Sequence, residues 1–223
     1  MDYIEKFREG SLSILEKIYS HPFVKELASG TLEQEKFVFY LQQDWLYLNE
    51  FSQALAGAAL LAPNAAQASS LIKFSHEVNI CEQELHLSFF KEYKVPKSNI
   101  LSPACFNYTN FLRATVSRGN YAAALVGLLP CFSVYRDVGT YIFKISHSGN
   151  PYKDWINTYS SEEFSKSVDE MVSLIRQEIR DKPLMEIDNL LNLYKISAHF
   201  EFEFWDDAYF LRELFPKKEL VQG

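Results

Sequence analysis

The sequence predicts an all-α protein, and three observations carry that reading. Apolar residues recur at helical spacing over long stretches. Glycine and proline are scarce, at 8 each in 223 residues. Proline, glycine or capping residues fall where each periodic stretch begins or ends. Residues 1–223 read as a single helical domain, long enough for a substantial core. With 18 Phe and 13 Tyr, that core is expected to be built largely of rings.

The elements follow in order. Residues 3–19 carry Ile4, Phe7, Leu12, Leu15 and Ile18 at helical spacing, with charges between them. His21-Pro22 breaks this helix, and residues 23–27 form a short second piece closed by Gly30; His21 reads as a turn residue. Thr31-Leu32-Glu33-Gln34 has the form of a capping box and opens a helix to about residue 61. Residues 65–93 read as one long helix, and 94–102 as a polar connection. Pro103 suits the first turn of a helix reaching about residue 118. Gly119-Asn120 then introduces a mostly apolar run, 122–139, which fades by 147–151. Residues 152–159 read as a short helix, and Ser160-Ser161-Glu162-Glu163 as a second capping box for a helix to about 181. Pro183 opens the last helix, through 214. No repeat or linker interrupts this bundle of long and short helices.

Composition excludes several function classes. A net charge of −7 with no basic run argues against nucleic acid or an anionic membrane surface as partner. Three cysteines at irregular spacing suggest neither a disulfide framework nor a zinc site. Met1 to Lys6 carries charge and no apolar signal core, and no run approaches a transmembrane span. A soluble, cytoplasmic setting is the expectation.

Chemistry-bearing residues cluster in three of these helices. Within the apolar run stand Pro130, Cys131 and Tyr135. A helix that starts or kinks at the proline would set Cys131 near an exposed turn of amides, where the dipole favours a thiolate. The plainer reading makes Cys131 a small buried hydrophobe. Asp44 sits among Phe39, Tyr40, Trp45, Tyr47 and Phe51, so it either faces solvent or is held inside for a purpose. In the last helix Glu201 and Glu203 differ by roughly 200° and cannot share a face. Glu201 aligns with Phe204 and Trp205, which makes it the inward candidate, its pKa raised by desolvation. A cysteine, an aspartate and a glutamate among tyrosines and phenylalanines suit a pocket for a flat polar ring. Carboxylates would meet an exocyclic amine or a ring nitrogen, and a thiolate would add to a ring carbon.

With those residues in view, the chain resembles the TenA family, also called thiaminase II, whose members hydrolyse aminopyrimidines in thiamin salvage. The matching pieces are Asp44-x-x-Tyr47, Tyr108, Pro130-Cys131-x-x-x-Tyr135, Pro151-Tyr152-x-x-Trp155-Ile156-x-x-Tyr159 and Glu201-x-x-Phe204-Trp205-x-x-Ala208. Together they cover nearly the whole chain. The resemblance implies a haem-oxygenase-like helical bundle, commonly homotetrameric, with no haem, metal or organic cofactor. It implies Cys131 as nucleophile, Glu201 as acid and base, and Asp44 as the group holding the amidine-like edge of the ring. Tyr47, Tyr108, Tyr135, Tyr159 and Phe204 would stack on the ring or hydrogen-bond around it. The substrates implied are 4-amino-5-aminomethyl-2-methylpyrimidine and, more slowly, thiamin. Trp45 and Phe132-Ser133-Val134 depart from the family's usual residues, which bears on pocket shape.

Competing readings use other residues. Glu82 and His86 at i, i+4, with His199, would begin the ligand set of a metal-dependent oxygenase on the same bundle. A non-catalytic pyrimidine-binding regulator would keep the pocket without turnover, and a plain helical interaction module would bind no ligand. Cys131 and Glu201 together favour the hydrolase.

Overall fold

Helical order follows from where apolar side chains fall and where the chain is capped. The computed structural model describes residues 3–78, 89, 91, 93 and 99–215. Among these, nine helices can be followed end to end: α1 (Tyr3–Ser20), α2 (Pro22–Ser29), α3 (Gln34–Ala59), α4 (Ala65–Glu77), α5 (Pro103–Ser117), α6 (Tyr121–Ile145), α7 (Lys153–Tyr159), α8 (Glu162–Ile179) and α9 (Leu184–Phe210). Their arrangement is the all-α, haem-oxygenase-like bundle.

Caps account for most of the boundaries. Asn64, Ser102, Asn120 and Ser161 each accept a hydrogen bond from a backbone N–H in the first turn of the helix that follows. His21 caps α2 in the same way, its Nδ1 accepting from the Phe23 amide at 3.1 Å. The expected capping box at Thr31 does not form. Gly30 takes the left-handed conformation (φ 74°), and the Thr31 and Leu32 amides turn back to the Glu26 carbonyl to close α2. Thr31 is thereby committed to the end of one helix, and α3 starts three residues later. The last helix stops short of residue 214, because Leu211 turns left-handed (φ 54°) and the Leu214 amide pairs with the Leu101 carbonyl. The second half of the helix expected over 65–93 lies mostly outside the described residues, as do Glu82 and His86.

Two buried amide side chains hold connections to helices. Asn150 donates to the Leu27 and Ala28 carbonyls (2.8 and 3.1 Å) and accepts from the Tyr152 amide (2.8 Å). It thus satisfies α2's terminal carbonyls and aims α7. Gln43 of α3 donates to the Ile100 carbonyl (2.9 Å) and accepts from the Ser102 amide (2.7 Å), which fixes the start of α5.

The centre belongs to α6, which packs against α7, α8 and α9, while α3 packs against α4, α5 and α9. As the apolar run suggests, α6 passes through Pro130 as one helix and does not start there. Burial on nearly every side carries it past the lost hydrogen bond, a cost of roughly 3 kcal/mol. Against the expectation that no run approaches a transmembrane span, α6 is long and apolar enough to cross one by length and composition (mean hydropathy 1.2). However, 78% of that window is buried inside the bundle, as befits a core helix.

Candidate active site

Five helices bring their rings and acids to one point in the core. From α3 come Tyr40, Asp44 and Tyr47, spaced so that the helical turn sets them on one side. From α5 comes Tyr108, from α6 Cys131 and Tyr135, from α7 Trp155 and Tyr159, and from α9 Ser197, Glu201, Phe204 and Trp205.

Stacked and edge-on rings define a cage. Tyr40 lies flat on Trp205, with centroids 5.1 Å apart and planes 7° from parallel. Tyr47 packs on Tyr108 at 4.9 Å and meets the edge of Phe204 at 5.7 Å. Tyr135 packs on Tyr159 at 4.9 Å and on Trp205 at 5.5 Å. Gly139 permits this approach: a Cβ there would stand 2.7 Å from the Tyr159 backbone carbon. A side chain at 139 would therefore push Tyr159 off α6.

Polar groups occupy the gaps between rings. The Tyr40 hydroxyl receives the Trp155 indole N–H at 3.2 Å and lies 3.3 Å from both Asp44 Oδ2 and the Tyr135 hydroxyl. The Tyr108 hydroxyl lies 2.7 Å from Glu201 Oε1 and 3.0 Å from Ser197 Oγ. Asp44 and Glu201 are each only 2% exposed. Within the cage the Trp205 indole N–H is buried without a hydrogen-bond partner among the described residues, and the Tyr47 hydroxyl has only a loose interaction with the Tyr108 hydroxyl. Buried donors rarely stay unpaired, so these are the natural handles for a polar ligand.

Electrostatics distinguish the acids and thiols. Burial pushes the Glu201 carboxyl up to about 8; the Tyr108 hydroxyl works against this, and the Asp44 carboxylate adds to it. Burial thus favours the protonated form of Glu201. The phenols of Tyr47, Tyr108 and Tyr135 are all held well above their ordinary range, chiefly by burial. Cys131 adds to that effect at Tyr47 and Tyr108, which places its sulfur beside those two rings. Cys131 is half-buried, whereas Cys105 is fully buried with its thiol pushed far up, and only the former suits a reactive role.

All eight residues singled out from the sequence, Asp44, Tyr47, Tyr108, Cys131, Tyr135, Tyr159, Glu201 and Phe204, meet in this cage. The route to a thiolate through a helix end does not apply, since Cys131 lies in the middle of α6. Glu203 turns away to a surface pair with His199 at 3.4 Å. His199 is thus no part of an inward ligand set, and among the described residues no three His, Cys, Asp or Glu side chains gather closely enough to hold a metal. From the sequence no role attached to Tyr40, Trp155 or Ser197, although Tyr40 stands one turn from Asp44 and Trp155 falls in one of the matching pieces. A separate cleft of about 140 Å³ shares none of these residues, but Phe132 and Thr158, chain neighbours of Cys131 and Tyr159, line it.

Comparison with known proteins places the chain among relatives. The model of the TENA/THI-4/PQQC family matches residues 11–210. An aminopyrimidine aminohydrolase of Halalkalibacterium halodurans is 28% identical over 215 residues, covering 94% of this chain and 96% of that protein. The thiamine biosynthesis multifunctional protein ThiED of Corynebacterium glutamicum is 31% identical over 201 residues; the match covers 90% of this chain but only 26% of that longer protein. Among solved structures, a TenA homologue protein from P. horikoshii OT3 superposes with a TM-score of 0.85 at 30% identity, covering 94% of this chain and 99% of that one. A Shewanella denitrificans domain described as having a heme oxygenase-like fold superposes at 0.76 with 16% identity, covering 93% and 92%, a likeness of fold alone.

Proposed function

The chain belongs to the TENA/THI-4/PQQC family, and we propose that it is an aminopyrimidine aminohydrolase of the thiaminase II type. Its substrate would be 4-amino-5-aminomethyl-2-methylpyrimidine, with thiamin slower. The observation that carries this reading is Glu201 buried in a ring-lined cage with Cys131 and Asp44, where burial raises its pKa. Relatives named as aminopyrimidine aminohydrolases support it.

The chemistry is balanced with these groups alone. Rings sandwich the pyrimidine, and Asp44 accepts from its amidine-like edge. The Cys131 thiol passes its proton to a ring nitrogen as the sulfur adds to the ring carbon beside the aminomethyl-bearing carbon, the displaced electron pair moving to that nitrogen. The sulfur takes the proton back when the carbon–sulfur bond finally breaks. Return of that pair expels the amine, which leaves with a proton from Glu201. Water adds to the exocyclic methylene left behind, its extra proton restores Glu201, and the carbon–sulfur bond breaks to release the hydroxymethyl product. No metal or organic cofactor takes part. A cytoplasmic homotetramer is part of the same proposal. Exposed apolar side chains such as Phe143 and Ile145 on α6 give a surface that a second copy would cover.

The test is ammonia release from that pyrimidine by the purified protein in a chelator, wild type beside Cys131→Ala. Turnover is expected in the wild type, with a loss of about 10³-fold or more in the variant. A correctly folded wild type that binds the pyrimidine but releases no ammonia from it or from thiamin would overturn the reading.

A further inference from the structure

Ser197 is fully buried, one turn before Glu201 on α9, and its hydroxyl meets the cage at Tyr108. Its hydroxyl lies 2.6 Å from the Gly127 carbonyl oxygen of α6 and 3.0 Å from the Tyr108 hydroxyl, which in turn lies 2.7 Å from Glu201 Oε1. Three contacts thus join four groups in a line, and the line ends on a backbone carbonyl that can only accept.

Counting protons fixes the direction. Ser197 and Tyr108 bring one hydroxyl proton each. If Glu201 is ionised, two protons must serve three contacts, and one pair of oxygens is left facing without a hydrogen. If Glu201 is protonated, every contact is filled: Glu201 donates to Tyr108, Tyr108 to Ser197, and Ser197 to Gly127. The Gly127 carbonyl is also the one that, by helical register, pairs with the Cys131 amide. The anchor of the line is therefore the backbone turn that carries the nucleophile.

We propose that Ser197 is a positioning residue for the acid: by committing its proton to Gly127 it obliges Tyr108 to accept from Glu201, and so holds Glu201 in its proton-donating form. When Glu201 gives its proton away, the Tyr108 proton swings back to the new carboxylate, which is stabilised at once. This deepens the aminohydrolase reading and rests on it for the use made of the proton, although the proton line itself does not depend on turnover. The other groups that face Glu201 are Asp44 and Tyr47 from α3, Tyr135 from α6, and Tyr194 on its own helix, while Cys131 of α6 faces Tyr47 and Tyr108. A change confined to Ser197 leaves all of them in place.

The experiment is an infrared titration of the carboxylic-acid carbonyl band from pH 5 to 10, with Glu201→Gln to identify the band. The wild-type band is expected to disappear with a midpoint near 8. In Ser197→Ala, Tyr108 loses its Ser197 acceptor and donates to Glu201, so the midpoint moves to lower pH by about one unit. The ionisation in kcat/KM assigned to Glu201 moves with it. In a Tyr108→Phe background, where the line is cut, adding Ser197→Ala moves the midpoint no further. An unmoved midpoint in Ser197→Ala, or an equal shift with and without Tyr108, would overturn the proposal. So would a wild type with no titrating band. Because the band is read without substrate, these outcomes stay distinct from a failure of the hydrolase reading, which shows as absent ammonia release.

Discussion

Replacing Glu201 by glutamine is expected to make the protein more stable, and increasingly so as pH rises. Glu201 is buried and its pKa is moved from 4.5 to about 8, so the folded state holds a proton that the unfolded chain releases. The folded pKa is the raised one. Stability tied to this proton is therefore whole below pH 4.5, and is lost as pH climbs through about 8. Each pH unit between those limits is worth about 1.4 kcal/mol, so at pH 7 the wild type has given up about 3 kcal/mol. Glutamine does not titrate, and its amide stays within hydrogen-bond reach of the Tyr108 hydroxyl. Urea unfolding of both proteins from pH 4.5 to 8.5 should show curves that coincide at the acid end and diverge upward. At pH 7 the variant should gain up to about 3 kcal/mol, or on the order of 10 °C in Tm for a chain of this size. Activity should fall by orders of magnitude in the same variant. A stability difference that stays flat with pH, or that opens on the acid side, would falsify the claim that a protonated carboxyl is buried here.

Three further outcomes follow from the geometry. Gly139→Ala puts a methyl 2.7 Å from the Tyr159 backbone, and is expected to cost about 1–3 kcal/mol in stability and a greater share of kcat/KM. Urea unfolding and steady-state kinetics on the same preparation check this, and a variant with wild-type kinetics would refute the positioning of Tyr159. Tyr47→Phe removes a buried hydroxyl that lacks a well-formed partner, so stability should hold or rise by about 1 kcal/mol while KM rises; a marked loss of stability would show that the hydroxyl is satisfied in the free protein. Asn150→Ala orphans the α2 carbonyls and the Tyr152 amide, with an expected loss of about 2–3 kcal/mol by urea titration. A loss below half a kilocalorie per mole would mean that water replaces it.

Much of this protein could be read along the chain. Helix class, order and most caps follow from apolar spacing and from Asn64, Ser102, Asn120 and Ser161, because such signals act within a few residues. Glu201 could be separated from Glu203 by helical phase alone, and the structure buries the first and pairs the second with His199 on the surface. Thr31 misled because Gly30 turned the chain back onto α2 first, so one local signal overrode another. At Pro130 the sequence left a start or kink open, and packing on nearly every side of α6 outweighs the one lost backbone bond.

What the sequence by itself determined, then, is the set of helices and the residue types with chemistry to offer. The tertiary structure alone decided which of them touch. Asp44, Tyr108, Cys131, Tyr159 and Glu201 come from five different helices, and no periodicity within one helix reports its distance from another. Nor does the sequence show that Tyr40 joins Asp44 to Tyr135 and Trp155, or that Ser197 joins Tyr108 to the carbonyl of Gly127. The raised pKa of Glu201 is likewise a property of the assembled core, because desolvation exists only once the surrounding helices have closed over the carboxyl.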